Sequence, residues 1–155
     1  DMRCALAEER QESGKAAVLS GVAGSAATLP AALLAPDAFS AQWEFATDGL
    51  AVMLFLFGVV YRYAVRSDDN DMLKQGAVGA FAITRVLASV RVGEQCTALP
   101  LECGPPLGYF DWAMLSQLAS AGAHAVAAYS GAALAIEAAF DKGLLARVPG
   151  RMDGE

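Results

Sequence analysis

The chain has 155 residues, 55% of them hydrophobic and 18% charged, with a formal net charge of -6 at pH 7. That length fits one compact domain, and so apolar a composition shifts the expectation from a soluble protein to a membrane protein. The acidic balance argues against nucleic acid as a partner, because phosphate binding needs a basic face.

The first residues, DMRCALAEERQESGK, are polar. They lack the basic n-region and cleavage site of a secretory signal peptide, and read either as a mature end left by a removed targeting peptide or as the edge of a truncated chain. From Ala16 to Pro36, AAVLSGVAGSAATLPAALLAP, no charge occurs for 21 residues. A soluble helix of that length shows a polar stripe, whereas a bilayer core takes roughly 20 apolar residues to cross. A first membrane span is therefore expected over 16–36. The second, 45–65, lies within WEFATDGLAVMLFLFGVVYRYAVR, with Trp43, Tyr61 and Tyr63 as interface aromatics. Asp48 is expected to cap this helix or sit at the headgroup boundary, and Arg62 to snorkel. The polar loop SDDNDMLKQ leads to a third span, 75–91, which carries Arg85 within GAVGAFAITRVLASV. A Pro-rich loop over 92–111 precedes the fourth span, 112–137, whose residues Trp112 to Ile136 hold no charge before Glu137 and Asp141.

The expected fold is an all-α integral membrane protein, a bundle of about four transmembrane helices in one domain. Its basic residues offer a test. With four crossings, Arg3, Arg10, Lys15, Arg62, Arg66, Lys74, Lys142, Arg147 and Arg151 share one side, only Arg91 lies opposite, and Arg85 stays inside the membrane. Such an asymmetry places both termini on the cytoplasmic side, or in the stroma for a thylakoid protein.

Few residues carry chemistry. Cys96 and Cys103 share the trans-side loop, where they either close a disulfide in an oxidising compartment or remain two free thiols, while Cys4 falls on the positive side. A metal site is not expected from two Cys with no His nearby. His124, the single histidine, falls in the middle of the longest span among Ala121, Ala123, Ala127, Ala128 and Gly131. An intramembrane histidine needs a polar partner or a metal. Its imidazole can ligate the magnesium of a chlorophyll, with Gln117, two turns earlier, a weaker second candidate; the plainer alternative is an interhelical hydrogen bond, for example to Tyr129 or Thr84. Arg85 costs roughly 2.5 to 3.5 kcal/mol at a bilayer centre, so it calls for Asp48, Glu137 or a headgroup phosphate as partner. With no HExxH, P-loop or GxSxG pattern, no enzymatic activity is expected. The series Ala123, Ala127, Gly131 and Ala135, and the pair Gly76 and Ala80, read as helix-packing faces.

The stretches FATDGLAV, YRYAVRSDDN, LKQGAVGAFAITR and CGPPLGYFDWAMLSQL resemble a family of multi-pass membrane proteins of plant and algal chloroplasts and cyanobacteria, over about Trp43 to Asp141. The resemblance implies a plastid location and no particular reaction. Together with the absent catalytic parts, it leads to the expectation of a nonenzymatic integral subunit of a photosynthetic complex in the thylakoid membrane. That subunit would be an accessory photosystem component, with photosystem I preferred, packed among lipids and other integral subunits and holding chlorophyll or carotenoid. The alternative is a small component of a chloroplast transport, protein-import or assembly machine, with the inner envelope as its membrane.

Overall fold

A computed structural model describes residues 2–66 and 70–148. Four helices build it: α1 (Met2–Leu33), α2 (Ala41–Ala64), α3 (Asp71–Ser89) and α4 (Trp112–Asp141), with no strand among the described residues. Three stretches, Ala7–Leu33, Ala41–Ala64 and Trp112–Asp141, are long and apolar enough to cross a membrane. The chain is thus an all-helical membrane protein. The expected third span is the exception. With 19 residues, α3 reaches about 28 Å, but Lys74 and Arg85 fall within it and hold its hydropathy below that of the other three.

Each helix runs antiparallel to its neighbour in sequence. At one end Arg62 of α2 meets Glu9 of α1, and Lys74 of α3 meets Glu137 of α4. At the other, the Trp43 indole donates to the Ala32 carbonyl, while the backbone of Arg91 bonds the Gln117 side chain. The starts of α1 and α3 and the ends of α2 and α4 therefore share one end, called here the basic end; the opposite one is the loop end. The expected polar tail is helical from Met2. Its polar residues have a use there, since Glu9 and Ser13 clasp Arg62, and Glu12 accepts from the Ala146 backbone after α4. Ser40 caps α2 by accepting from Trp43 N–H. The expected cap Asp48 lies two turns inside the helix and is exposed.

Small residues bring the helices close. A Cβ on Gly58 would lie 2.5 Å from the Ala16 carbonyl oxygen, one on Gly24 would lie 2.5 Å from a Leu54 methyl, and one on Gly131 would lie 2.8 Å from Ala27 Cβ. Only glycine allows these approaches, which replace the water exclusion that drives packing in soluble proteins. On α4 the buried face is Ala125, Ala128, Tyr129, Ala132, Ala133, Ile136 and Ala139. That corrects the expected packing series: Ala123 and Ala127 are exposed, as are Gly76 and Ala80 on α3. Of the two glycines among those positions, Gly131 makes a tight helix contact and Gly76 makes none. The middle of the bundle is filled by aromatic rings, Phe57 lying 5.2 to 5.3 Å from Tyr61, Phe81 and Tyr129 between centroids. Toward the loop end six alanines face one another beside several serines and threonines, and there the bundle does not close.

Candidate functional site

The gap left by those alanines is a cavity of about 450 Å³ at the loop end, partly open to the surface. All four helices contribute: Ser25 to Ala32 from α1, Trp43 to Leu50 from α2, Arg85 and Ser89 from α3, and Gln117 to Ala125 from α4. Its position follows from side-chain volume. Phe57, Phe81 and Tyr129 plug the space below it, whereas Ala31, Ala32, Ala46, Ala121 and Ala125 leave space unfilled. Three residues singled out from the sequence, Arg85, His124 and Gln117, converge on this one space.

His124 is partly buried. Neither plainer partner is engaged. The Thr84 hydroxyl donates to the carbonyl of Ala80 in its own helix, and the Tyr129 hydroxyl is buried with no hydrogen-bond partner among the described residues. The imidazole therefore lines the cavity without a hydrogen bond inside the described chain. Beside it, the small side chains of Ala121 and Ala125 let a flat ligand approach the backbone of α4.

Gln117 is differently occupied. Its Oε1 accepts from Arg91 N–H at 2.9 Å and its Nε2 donates to the Arg91 carbonyl at 3.3 Å. The side chain that was a candidate pigment ligand instead fastens the end of α3 to the start of α4. An amide whose oxygen already accepts a backbone N–H is a poor choice for a further ligand.

Arg85 is partly buried, and its Nη2 donates to the Ala46 carbonyl at 2.9 Å while Nη1 stands 3.8 Å from Met53 Sδ. Neither expected acid reaches it. Asp48 sits on the exposed side of α2. Glu137 lies at the basic end, where it accepts from the Tyr61 hydroxyl at 3.1 Å and pairs with Arg147 at 3.0 Å and Lys74 at 3.3 Å. Sequence reasoning passed over Trp43 and Asp37 as site residues. Both border the short connection between α1 and α2, and a charged residue just past a span was the available signal.

The loop after α3 frames the same end. Cys96 and Cys103 are joined by a disulfide, with S–S 2.05 Å and Cα–Cα 4.2 Å. Thr97 and Glu102 exchange backbone hydrogen bonds within it, at 2.8 and 3.0 Å. Asp111 closes the loop by capping α4 through Met114 N–H and accepting from the Gln95 amide. No group of three or more His, Cys, Asp or Glu suited to a metal ion occurs among the described residues.

An imidazole without a hydrogen bond among the described residues and a guanidinium without a carboxylate thus share one partly open cavity. No protein-family model, no curated protein and no solved structure matches the chain.

Proposed function

We propose that the chain is a nonenzymatic integral subunit of a photosynthetic membrane complex: an accessory photosystem subunit, with photosystem I preferred, that packs against core or antenna proteins. In this reading it lies in the thylakoid membrane with its basic end toward the stroma, and holds chlorophyll, with carotenoid as a further pigment. The plastid part rests on the sequence resemblance over Trp43 to Asp141. The observation that carries the pigment part is His124, whose imidazole lines the loop-end cavity with no hydrogen bond inside the described chain. Intramembrane histidines take a polar partner or a metal, and here no side chain of the described residues fills that role.

The residues present fit such a group. His124 would offer a nitrogen to its magnesium, Ala121 and Ala125 would offer an apolar wall, and Trp43 would add an aromatic ring to the lining. Chlorophyll supplies light absorption and excitation transfer when bound. The chain's part is to hold the ring, orient it and keep water from its face. Outward-facing Val52, Leu56 and Val60 on α2 give an apolar surface for lipid or for a neighbouring subunit.

The test is a pigment count on the purified native complex with wild-type protein and His124→Leu. The variant keeps the helix apolar, so membrane insertion is expected to survive while bound chlorophyll falls by one per chain. An unchanged count removes the pigment from the proposal. Comigration with a photosystem on a native gel supports the subunit assignment, and comigration with envelope translocon components replaces it with the import-machine alternative.

A further inference from the structure

The bundle takes two arginines inward and neutralises one. Arg62 has Glu9, but Arg85 pairs with no carboxylate among the described residues. A guanidinium stays charged and carries five N–H donors in a planar fork. Arg85 commits one to the Ala46 carbonyl and aims another at the weak acceptor Met53 Sδ. Its Nε–H donates to nothing in the described chain. Arg85 lines the loop-end cavity, and Asp37, the one carboxylate in that lining, stops short of an ion pair. Charged groups among membrane helices are answered by an acid, a water path or a ligand.

We propose that this cavity receives the oxyanion headgroup of an anionic lipid from the leaflet at the loop end, with Arg85 as its principal contact. The chemistry is that of guanidinium to phosphate or sulfonate, where two parallel N–H donors meet two oxygens of one planar face. The lipid source follows from the surroundings. The site lies among membrane-crossing helices, Leu29 and Leu50 line it beside the alanines, and the exposed rings of Phe39 and Phe45 stand at the same end, where an acyl chain would leave. A free phosphate ion has no use for those apolar walls. The inference rests on Arg85 and uses the same cavity as the pigment reading, so lipid and pigment are alternative occupants of it; His124→Leu leaves the guanidinium in place and keeps the two tests distinguishable.

Native mass spectrometry of the full chain in neutral detergent tests it, with phosphatidylglycerol and phosphatidylcholine of matched acyl chains offered at equal concentration. Wild-type protein is expected to retain phosphatidylglycerol in preference by about tenfold, the scale of a hydrogen-bonded charge. Arg85→Gln should lose that preference. Ala121→Phe, which fills the cavity and spares the charge, should lose retention too. Asp37→Asn lies on an exposed connection outside the packed core and should raise retention by removing the opposing charge. Equal retention by wild type and Arg85→Gln, or weaker retention by Asp37→Asn, overturns the proposal. Full displacement of the lipid by excess inorganic phosphate overturns the lipid source and leaves an ion site. If Arg85→Gln does not fold, an Ala121→Phe protein that keeps the wild-type preference overturns it instead.

Discussion

At the basic end of the bundle Arg62 is wholly buried and held by the Glu9 carboxylate and Ser13 hydroxyl, each at 2.9 Å, and by the Ala146 carbonyl at 2.9 Å. At the loop end Arg85 is partly buried and holds one carbonyl. The two residues are alike, and their surroundings differ in what folds back over them. The basic end has the polar first turns of α1 and the segment after α4 to supply acceptors. At the loop end the segments over the bundle are a short connection and a disulfide-closed loop, and neither brings an acid to Arg85. A charge inside a membrane bundle is thus either a brace or a socket, and the segments that fold over it decide which.

Arg62 separates the two ends most directly. Arg62→Met keeps the volume and leaves Glu9, Ser13 and the Ala146 carbonyl without their donor. Breaking a buried pair costs 3 to 5 kcal/mol, and because Glu9 is partly exposed and can rehydrate, the expected loss is about 3 kcal/mol, the low end of that range. Arg85→Gln, judged by the same measure, should cost about 1.5 kcal/mol, the low end for one hydrogen bond from a charged group, because the guanidinium is only partly buried. Denaturant titration in detergent, followed by far-UV circular dichroism, reads both. Equal losses would mean that Arg85 is a brace as well, and that the distinction between the ends is false.

Much of the fold was legible because hydropathy is additive along a helix. The uncharged runs marked α1, α2 and α4 to within a few residues at most ends. The start of α1 was not legible, since Glu9, Glu12 and Ser13 look like a solvated tail until Arg62 and Ala146 are placed against them. The α4 packing face was misread for a compositional reason. Alanine occupies several faces of that helix, so rows four residues apart are small on the exposed side as well as the buried one, and spacing cannot choose between them. His124 and Arg85 were each visible as costly intramembrane residues. Their convergence on one cavity was not, because it depends on helix rotation and on the alanines facing them from α1 and α2. For the same reason the acids assigned to Arg85 failed: Asp48 is two residues from Ala46, which Arg85 does reach, but on the exposed side of α2, and Glu137 is at the other end.

A second contrast sharpens the picture through two glycines of α2. Gly58 lies one turn before Arg62, and a Cβ there meets the Ala16 carbonyl oxygen at 2.5 Å and Ser20 Cβ at 2.6 Å. Gly49 faces the open end, where a Cβ would stand 3.8 Å from Arg85 Nη1. Gly58→Ala must push α1 away from α2 and should cost about 1 to 3 kcal/mol, the range for overpacking. It should also weaken the Ser20 hydroxyl bond to the Leu54 carbonyl, now 2.6 Å. Gly49→Ala meets ordinary contact distances and gains helix propensity, so its stability should match or exceed wild type. The same denaturant titration compares them. A Gly49→Ala protein as damaged as Gly58→Ala would show that the loop end is packed as tightly as the basic end.

The smallest expected effect concerns Gln117, and it tests what holds the cavity's rim. Gln117 bonds both the N–H and the carbonyl of Arg91, the second residue past α3. Gln117→Leu removes both bonds and leaves an apolar side chain one heavy atom shorter. Interhelical hydrogen bonds in membrane proteins average only about 0.6 kcal/mol, and Arg91 is exposed, so water replaces the lost partners; the global loss should be about that size or less. The local effect should be larger than the global one. With its acceptor gone, the Arg91 amide should exchange its hydrogen faster, while amides in the middle of α3 keep their rates. A residue that acts as a fastener changes exchange at the rim and leaves bound pigment alone, whereas a pigment ligand does the reverse. Hydrogen exchange at Arg91, measured beside the chlorophyll count of the same preparation, therefore decides between them: slow exchange with a lower count in Gln117→Leu would return Gln117 to the ligand set and leave the end of α3 held by something other than this side chain.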